Sequence, residues 1–255
     1  MTQSEWMSVV AAGVLVMTRL SGLLVFAPVL SSSAIAPRIK AGLVFAMTLL
    51  MAASARDAKG AIADITVTTV LSELAVGLVF GLSLSMLNEM VLFAGTMLSM
   101  SFSFSLANLM DPMYHEETSV LTQLLNWMTT LILLGAGLHR TLIGAVMRSF
   151  RAVPLGTFFM TARSAGAMVH LASGIFLAGV QLASPVIAAA LTVEVAIALI
   201  GRLAPQLSST VLSVPFKTIA SYVVLIGSLA IWPAFLEGRF DALLDTAGKV
   251  LLGQA

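Results

Sequence analysis

The sequence predicts an all-α protein of the polytopic integral membrane type, and two observations support this. Hydrophobic residues make up 59% of the 255 residues and charged residues 10%, whereas soluble domains average about 45–50% and about 25%. The apolar residues are gathered in long stretches, each near the roughly 20 residues that cross a bilayer as a helix. Cysteine is absent, which excludes disulfides and thiolate metal sites. What remains is a membrane protein or a subunit with very large buried interfaces.

Six apolar stretches are candidate helices, or seven if the longest one is divided. They span residues 9–30, 39–55, 65–107, 118–138, 171–193 and 210–236. The polar pair Asn88-Glu89 would divide the stretch 65–107, and both counts stay open. The first helix is interpreted as retained, because its leading residues are acidic and Arg19 interrupts its apolar region, unlike a cleavable signal.

The distribution of basic residues predicts an orientation. The stretch 140–163 contains four arginines and no acid, so it should face the cytoplasm. The connection 108–118 contains three acids and no Lys or Arg, which suits the opposite side. Two spans after the basic stretch, the tail 237–255 returns to the cytoplasmic side. We predict a short amphipathic surface helix there, with one apolar face formed by Phe240, Leu243, Leu244, Val250 and Leu251.

Ionisable residues inside apolar stretches are energetically costly and are therefore functional candidates. Arg19, Glu73 and Glu89 are the candidate buried polar residues, with Glu194 directly after the fifth stretch and Lys217 inside the sixth. The favoured interpretation is that each makes a satisfied contact, either with Arg19 or with a neighbouring subunit. The alternative is an ion-coupled secondary transporter, in which Arg19 and the three glutamates would be ligands near the membrane midplane. Such transporters are built from pseudo-symmetric halves, and the sequence shows no convincing internal symmetry.

Nothing in the sequence supports an enzyme or a cofactor. The nucleophile, zinc-protease, phosphate-binding and dinucleotide motifs are missing. His115, His139 and His170 lie far apart without the spacing of a metal site. The net charge of +1 gives no indication of nucleic-acid binding. We therefore predict no catalytic residue, no cofactor, no metal and no nucleic-acid partner.

Glycines and one irregular segment suggest where packing and function lie. Gly77 and Gly81 form a G-x-x-x-G pattern, which allows helices to approach closely, and Gly13, Gly95 and Gly174 are further small positions. Residues 99–105 alternate Ser with Met or Phe, a period of two that does not produce one apolar helix face. The segment then ends at Asp111-Pro112. From the residues alone, a pore constriction and a frayed helix end with its outer loop are equally supported.

Several motifs along the chain resemble one family. The R-x-A-P-Q-L-type run at 202–207, followed by Pro215-Phe216-Lys217, is the most specific. The other matching segments are Ala27-Pro28-Val29-Leu30, Ile35, Pro37-Arg38-Ile39-Lys40, Gly42-Leu43, the Phe-rich stretch up to Asp111-Pro112, His139, Ser149-Phe150 and Pro154-Leu155-Gly156. Over most of its length the chain resembles the flagellar biosynthetic protein FliR family, the R subunit of the type III secretion export gate, including its injectisome counterparts.

The resemblance implies a single export-gate subunit, residues 1–255, with a non-enzymatic structural and gating role in the flagellar basal body of the bacterial inner membrane. The implied partners are the P and Q subunits, a nearby export switch protein and large export-gate subunit, unfolded secreted substrates and membrane lipid. A central plug-like loop is implied at 99–118, with pore-plug residues Met100, Phe102, Phe104, Leu106, Leu109, Met110, Asp111 and Pro112. A subunit interface is expected at Arg38, Lys40, Glu194, Arg202, Pro205, Gln206 and Pro215. The resemblance further implies that much of the apolar surface packs on sister subunits above the membrane plane and not on lipid, in which case the apolar stretches are not literal membrane crossings.

Overall fold

The structure is a computed structural model that describes residues 3–27, 36–57, 65–102, 119–203 and 209–253. All regular secondary structure in these ranges is helical, which confirms the all-α prediction. The helices are α1 (Gln3–Phe26), α2 (Pro37–Asp57), α3 (Val67–Ser101), α4 (Val120–Gly135), α5 (Leu138–Ala152), α6 (Ala162–Leu203), α7 (Ser209–Ser228) and α8 (Trp232–Leu251).

Three of these helices are long and apolar enough to cross a membrane. The spans are Trp6–Phe26, Val67–Ser101 and Ala162–Leu203, and the number rises to five if α4 with α5 and α7 with α8 each count as one bent span. A polytopic membrane-type fold is therefore confirmed. These numbers refer only to the residues that the structure describes.

Three boundaries differ from those expected. Helix α3 continues through Asn88-Glu89, so the longest apolar stretch is one helix and is not divided. The basic stretch 140–163, expected as a loop, is mostly the amphipathic helix α5 and the start of α6. The C-terminal helix begins at Trp232 instead of near 237. Pro233 suits the first turn of this helix, because amides there have no partner within the helix and proline has no amide hydrogen to leave unpaired.

Hydroxyl side chains begin several of the helices. Ser119 caps α4 by accepting a hydrogen bond from the Thr122 amide. The Thr66 hydroxyl accepts from the Thr69 amide at 3.2 Å, and the Thr69 hydroxyl accepts in return from the Thr66 amide at 2.9 Å, at the start of α3. At the start of α6, the Thr161 hydroxyl likewise accepts a hydrogen bond from a backbone amide. Each bond satisfies an amide that would otherwise have no partner at a helix start.

The chain divides into two compact units. The first comprises residues 1–87, 137–173 and 238–255. Its core is formed by α1, the first part of α3, α5 and the end of α8, where Leu15, Val76, Phe150 and Val250 are at most 1% exposed. In this unit α2 packs against α1 and α5. The apolar face predicted for the C-terminal helix packs into this unit, as shown by the burial of Phe240, Leu244, Val250 and Leu251.

Glycines allow α1 and α3 to pack with their backbones almost in contact. A Cβ atom added to Gly77 would lie 2.1 Å from the carbonyl oxygen of Arg19, and one added to Gly81 would lie 2.9 Å from that of Leu23. Gly22, on α1, faces the Leu74 carbonyl at 2.9 Å in the same way. The G-x-x-x-G pattern therefore marks a true helix–helix contact. By contrast, nothing lies within 4 Å of a Cβ added to Gly13 or Gly174.

The second unit comprises residues 88–136 and 174–237. Its core includes Val91, Leu98, Leu125, Val186 and Leu236, each at most 1% exposed. Two further glycines permit close contacts here. Gly95 of α3 faces Thr122 of α4, and Gly179 of α6 faces the Phe93 ring, where an added Cβ would lie 2.9 and 2.7 Å from the nearest atom. Phe93 and Phe176 meet edge to face with centroids 5.2 Å apart.

Candidate functional site

The first unit contains a buried ion pair between Arg19 of α1 and Glu73 of α3. The Arg19 Nε donates to Glu73 Oε2 at 2.6 Å, and an Nη donates to Oε1 at 3.1 Å, so the contact is bidentate. The two side chains are 1% and 0% exposed. Bidentate Arg–carboxylate contacts are among the stronger charged hydrogen bonds, and their planar geometry fixes the relative orientation of both residues.

Further contacts satisfy most of the remaining hydrogen-bonding capacity of this pair. Arg19 also donates to the Ser149 hydroxyl at 3.1 Å and to the Val153 carbonyl at 3.2 Å. Its guanidinium lies 4.5 Å from the centre of the Phe150 ring, in cation–π geometry. Glu73 Oε1 accepts a second bond from the Gly156 amide at 2.7 Å. These two charges can be buried because nearly every polar atom of the two side chains has a hydrogen-bond partner.

The network attaches the connection between α5 and α6 to the helices beneath it. This connection, residues 153–161, is defined as the 153–161 loop. Arg19 and Glu73 hold its Val153 and Gly156 backbone groups, and the Ser72 hydroxyl donates to the Phe158 carbonyl at 2.8 Å. The ion pair therefore has a structural role in the first unit, and neither charge is left free to bind a transported ion.

The other acidic candidates, Glu194 and Glu89, lie in the second unit and, unlike Glu73, are exposed. Glu194 of α6 forms an ion pair with Lys217 of α7, with side chains 46% and 16% exposed. Glu89 is exposed on the surface of the isolated chain. The prediction that Glu89 is buried is therefore corrected: it lies on the outer face of α3, whereas the adjacent Met90 and Val91 point into the core.

A cluster of hydroxyl groups joins the two chain ends that flank the segment 103–118. Ser99 near the end of α3 contacts the Ser119 hydroxyl and lies 3.3 Å from the Thr122 hydroxyl. The Ser119 and Thr122 hydroxyls are 3.0 Å apart. Ser99 and Thr122 are buried. The end of α3 and the start of α4 are therefore held together in the second unit, a contact that neither residue pattern nor spacing had indicated.

Of the eight predicted plug residues, the structure describes two. Phe102 is 3% exposed and packs on Tyr222 of α7, with ring centroids 4.5 Å apart. Met100 is 63% exposed. The irregular Ser/Phe pattern begins in a helix, because α3 extends to Ser101. The other predicted plug residues lie outside the described residues: Phe104, Leu106, Leu109, Met110, Asp111 and Pro112.

The predicted interface residues are dispersed. Arg38 and Arg202 are exposed, at the start of α2 and the end of α6, and Lys40 is half-buried. Pro205 and Gln206 lie outside the described residues. Pro215 lies inside helix α7, in its second turn, within the apolar stretch 210–236 that was expected to be helical. At this position Pro215 has no amide to donate to the carbonyl four residues earlier, so α7 lacks one of its backbone hydrogen bonds there.

Helix α6 presents a large apolar surface that the chain itself does not cover. It contains 42 residues, and only 17% of its most apolar window is buried within the chain. Its exposed large side chains are Val169, Phe176, Leu177, Val180, Leu191, Val195, Leu199, Ile200 and Leu203. Apolar patches of this extent indicate contact with lipid or with other proteins.

These features define a class of protein: a polytopic helical membrane protein with a satisfied ion pair inside and extensive apolar faces outside. More particularly, the chain belongs to the family of bacterial export proteins, family 1, whose family model matches residues 10–243. This confirms the resemblance found in the sequence.

Curated relatives agree with this family. The flagellar biosynthetic protein FliR of Escherichia coli K12 is 25% identical over 252 residues, covering 98% of this chain and 96% of the relative. That of Pectobacterium carotovorum is 27% identical over 91% of this chain and 90% of the relative. That of Bacillus subtilis is 25% identical over 70% of each.

Proposed function

We propose that the chain is a non-enzymatic structural and gating subunit of the type III protein-export channel of the flagellar basal body. In this role it joins the P and Q subunits, completes the ring of P subunits and helps to close the pore through which unfolded substrates pass. Its membership of an export family and the flagellar names of its relatives support the flagellar system over an injectisome.

The observation that carries this proposal is the exposure of α6. The helix has 42 residues, and its exposed apolar side chains extend from Val169 to Leu203. A hydrocarbon core of about 30 Å needs roughly 20 residues of helix. Lipid alone would therefore leave much of this apolar face in water. Sister subunits packed along α6 would cover the remainder, as a subunit of a multi-chain channel requires.

The remaining parts of the role are also proposals. We place the protein in the bacterial inner membrane, with the C-terminus facing the cytoplasm, on the basis of the four arginines in the stretch 140–163. The export switch protein and the large export-gate subunit are proposed neighbours on that side. Arg38, Lys40 and Glu194 are proposed contacts of the subunit interface, together with the run 202–207.

The plug is proposed to extend from the end of α3 to the start of α4. Its two flanking ends are held together by Ser99, Ser119 and Thr122, and Phe102 is anchored on Tyr222. A segment with such fixed ends can occupy a pore without displacing the helices that carry it. Bulky apolar side chains in a pore exclude water and ions by dewetting.

Deleting residues 103–110 is expected to make the export channel leaky, because Phe104, Leu106 and Met110 would no longer seal it. The measurement is ion or small-molecule leak in growing cells that contain the complete set of export-gate subunits. Leu131→Ala, at a side chain 68% exposed on α4, is the control and should not leak. A deletion variant that assembles with its partners and stays as tight as the parent would rule out the plug.

Arg202→Ala is expected to lower recovery of the intact complex by roughly ten-fold or more. Arg202 is exposed in the isolated chain, and hydrogen bonds to a charged group contribute about 1.5–3 kcal/mol when an interface buries them. Recovery is measured by co-purification of the P and Q subunits on a tagged chain. Lys249→Ala, at a side chain 54% exposed in the first unit, is the surface control. Unchanged assembly and motility in the Arg202 variant would count against this interface.

A further inference from the structure

The 153–161 loop exposes an apolar tip. Phe159 is 72% exposed and Met160 is 56% exposed, whereas Val153, Leu155 and Phe158 are at most 6% exposed. The loop therefore has a buried inner face of its own. Its two outermost large side chains are left without cover by the first unit.

The tip is carried by a fixed backbone. The Val153 carbonyl, the Gly156 amide and the Phe158 carbonyl are held by Arg19, Glu73 and Ser72 at 3.2, 2.7 and 2.8 Å. The Thr157 hydroxyl adds a local bond to the Pro154 carbonyl at 2.8 Å. A loop held in this way loses little conformational freedom when its tip meets a partner, so the exposed Phe and Met form a preorganised surface.

Positive charges flank the tip on both sides. Arg151 lies in the last turn of α5 and Arg163 in the first turn of α6, and both are exposed. No Asp or Glu occurs anywhere between residues 118 and 193. Arg148 does not belong to this set, because the cavity that it lines is also lined by Asp241 and Asp245 of α8.

A cavity of about 370 Å³ lies beside the tip, between the loop and the end of α8. Thr157, Thr161 and Ser164 line it on one side and residues 250–253 on the other. Leu252, at its edge, is 49% exposed. The loop thus carries exposed apolar side chains beside a cavity lined by hydroxyls, with one exposed arginine two residues before it and another two residues after it in the chain.

We propose that the 153–161 loop is a membrane-interface anchor that binds anionic phospholipid. Phe159 and Met160 insert at the boundary between headgroups and acyl chains, and Arg151 and Arg163 bind headgroup phosphates. Apolar side chains with flanking basic residues suit this boundary. A protein partner fits less well, since stable protein interfaces bury about 800 Å² on each side, far more than a tip of two side chains supplies.

Site-directed labelling tests this anchor directly, because the chain contains no cysteine. The full chain carrying Met160→Cys is labelled with an environment-sensitive fluorophore and reconstituted into vesicles. One set contains phosphatidylethanolamine and phosphatidylglycerol, and the other phosphatidylcholine alone. Quenching by lipids that carry a spin label near the headgroup is measured. Asp245→Cys, at a side chain 66% exposed on the polar face of α8, is the control position.

We expect strong quenching at the Met160→Cys position in phosphatidylglycerol vesicles and little at the control. Arg151→Gln with Arg163→Gln should weaken insertion by roughly five-fold per arginine in those vesicles, with little effect in phosphatidylcholine. Quenching no greater than at the control position would overturn the anchor. The anchor would also be overturned if lipid quenchers reached the label only weakly and added P and Q subunits protected it, since this result identifies a protein interface. Equal quenching in both vesicle types, unaltered by the arginine changes, would refute the phosphate contacts.

Discussion

Glu73→Ala is expected to destabilise the protein by about 3–5 kcal/mol, the range for removing one partner of a buried ion pair. The substitution leaves the Arg19 guanidinium, 1% exposed, without its carboxylate. It also removes the acceptor of the Gly156 amide. The loss is measured as a fall in the thermal unfolding midpoint of the purified chain in detergent. We expect a fall of many degrees, or failure to recover folded protein.

The chain supplies a matched control for this experiment. Lys249 and Asp245 on α8 also form an ion pair, with a separation of 2.6 Å, but their side chains are 54% and 66% exposed. Exposed pairs of this kind within a helix contribute about 0.3–0.5 kcal/mol. Asp245→Ala should therefore leave the unfolding midpoint nearly unchanged.

A double variant separates loss of the pair from the presence of an unpaired charge. Arg19→Met combined with Glu73→Met removes both charges, and well-packed apolar replacements of buried pairs are often close to neutral. The double variant should recover much of the stability lost in Glu73→Ala, though the backbone groups of Val153 and Gly156 still lose their partners. A Glu73→Ala midpoint within the range of the Asp245→Ala control would disprove the structural role of the ion pair.

Gly77→Ala is expected to destabilise the α1–α3 contact by about 3 kcal/mol, at the upper end of the usual range for overpacking. The added methyl group would lie 2.1 Å from the Arg19 carbonyl oxygen. The clash is with backbone, so no side-chain rotation can relieve it and the two helices must separate. The readout is the unfolding midpoint together with recovery of folded chain.

Gly13→Ala is the control, and its effect on the stability of the protein should have the opposite sign. No atom lies within 4 Å of a Cβ placed there, and alanine in a helix interior is favoured over glycine by about 1 kcal/mol. The same substitution thus stabilises at one glycine and destabilises at the other. If both variants unfold together at the parent temperature, the close helix contact described here is incorrect.

The sequence was sufficient to predict the helical class and the cost of burying Arg19 and Glu73, because composition and hydropathy are local properties of the chain. A contact with Arg19 was one of the favoured interpretations for the glutamates. The partners Ser149 and Gly156 were not predictable, since Ser149 lies 130 residues beyond Arg19 and Gly156 lies 83 residues beyond Glu73. Only the packing of α5 and the 153–161 loop brings them there.

Glycine spacing shows the same limit. Gly77 and Gly81 were recognisable as a packing motif, yet Gly13 and Gly174 looked equally suitable and make no close contact. A small residue permits close approach, but the neighbouring helix decides whether it occurs. Glu89 was misplaced for a related reason: the outward face of a helix depends on tertiary packing, which a single apolar stretch does not encode.

Glu73 and Gly77 are one helical turn apart on α3, and both engage Arg19, one through its side chain and the other through its carbonyl oxygen. Sliding α3 along α1 by a turn, about 5.4 Å, would break the ion pair and drive side chains into the space that only glycine leaves. The two helices are therefore fastened in a single register. In the export channel proposed above, α1 and α3 would therefore move as one rigid body, and a movement that opens the pore would have to take place elsewhere.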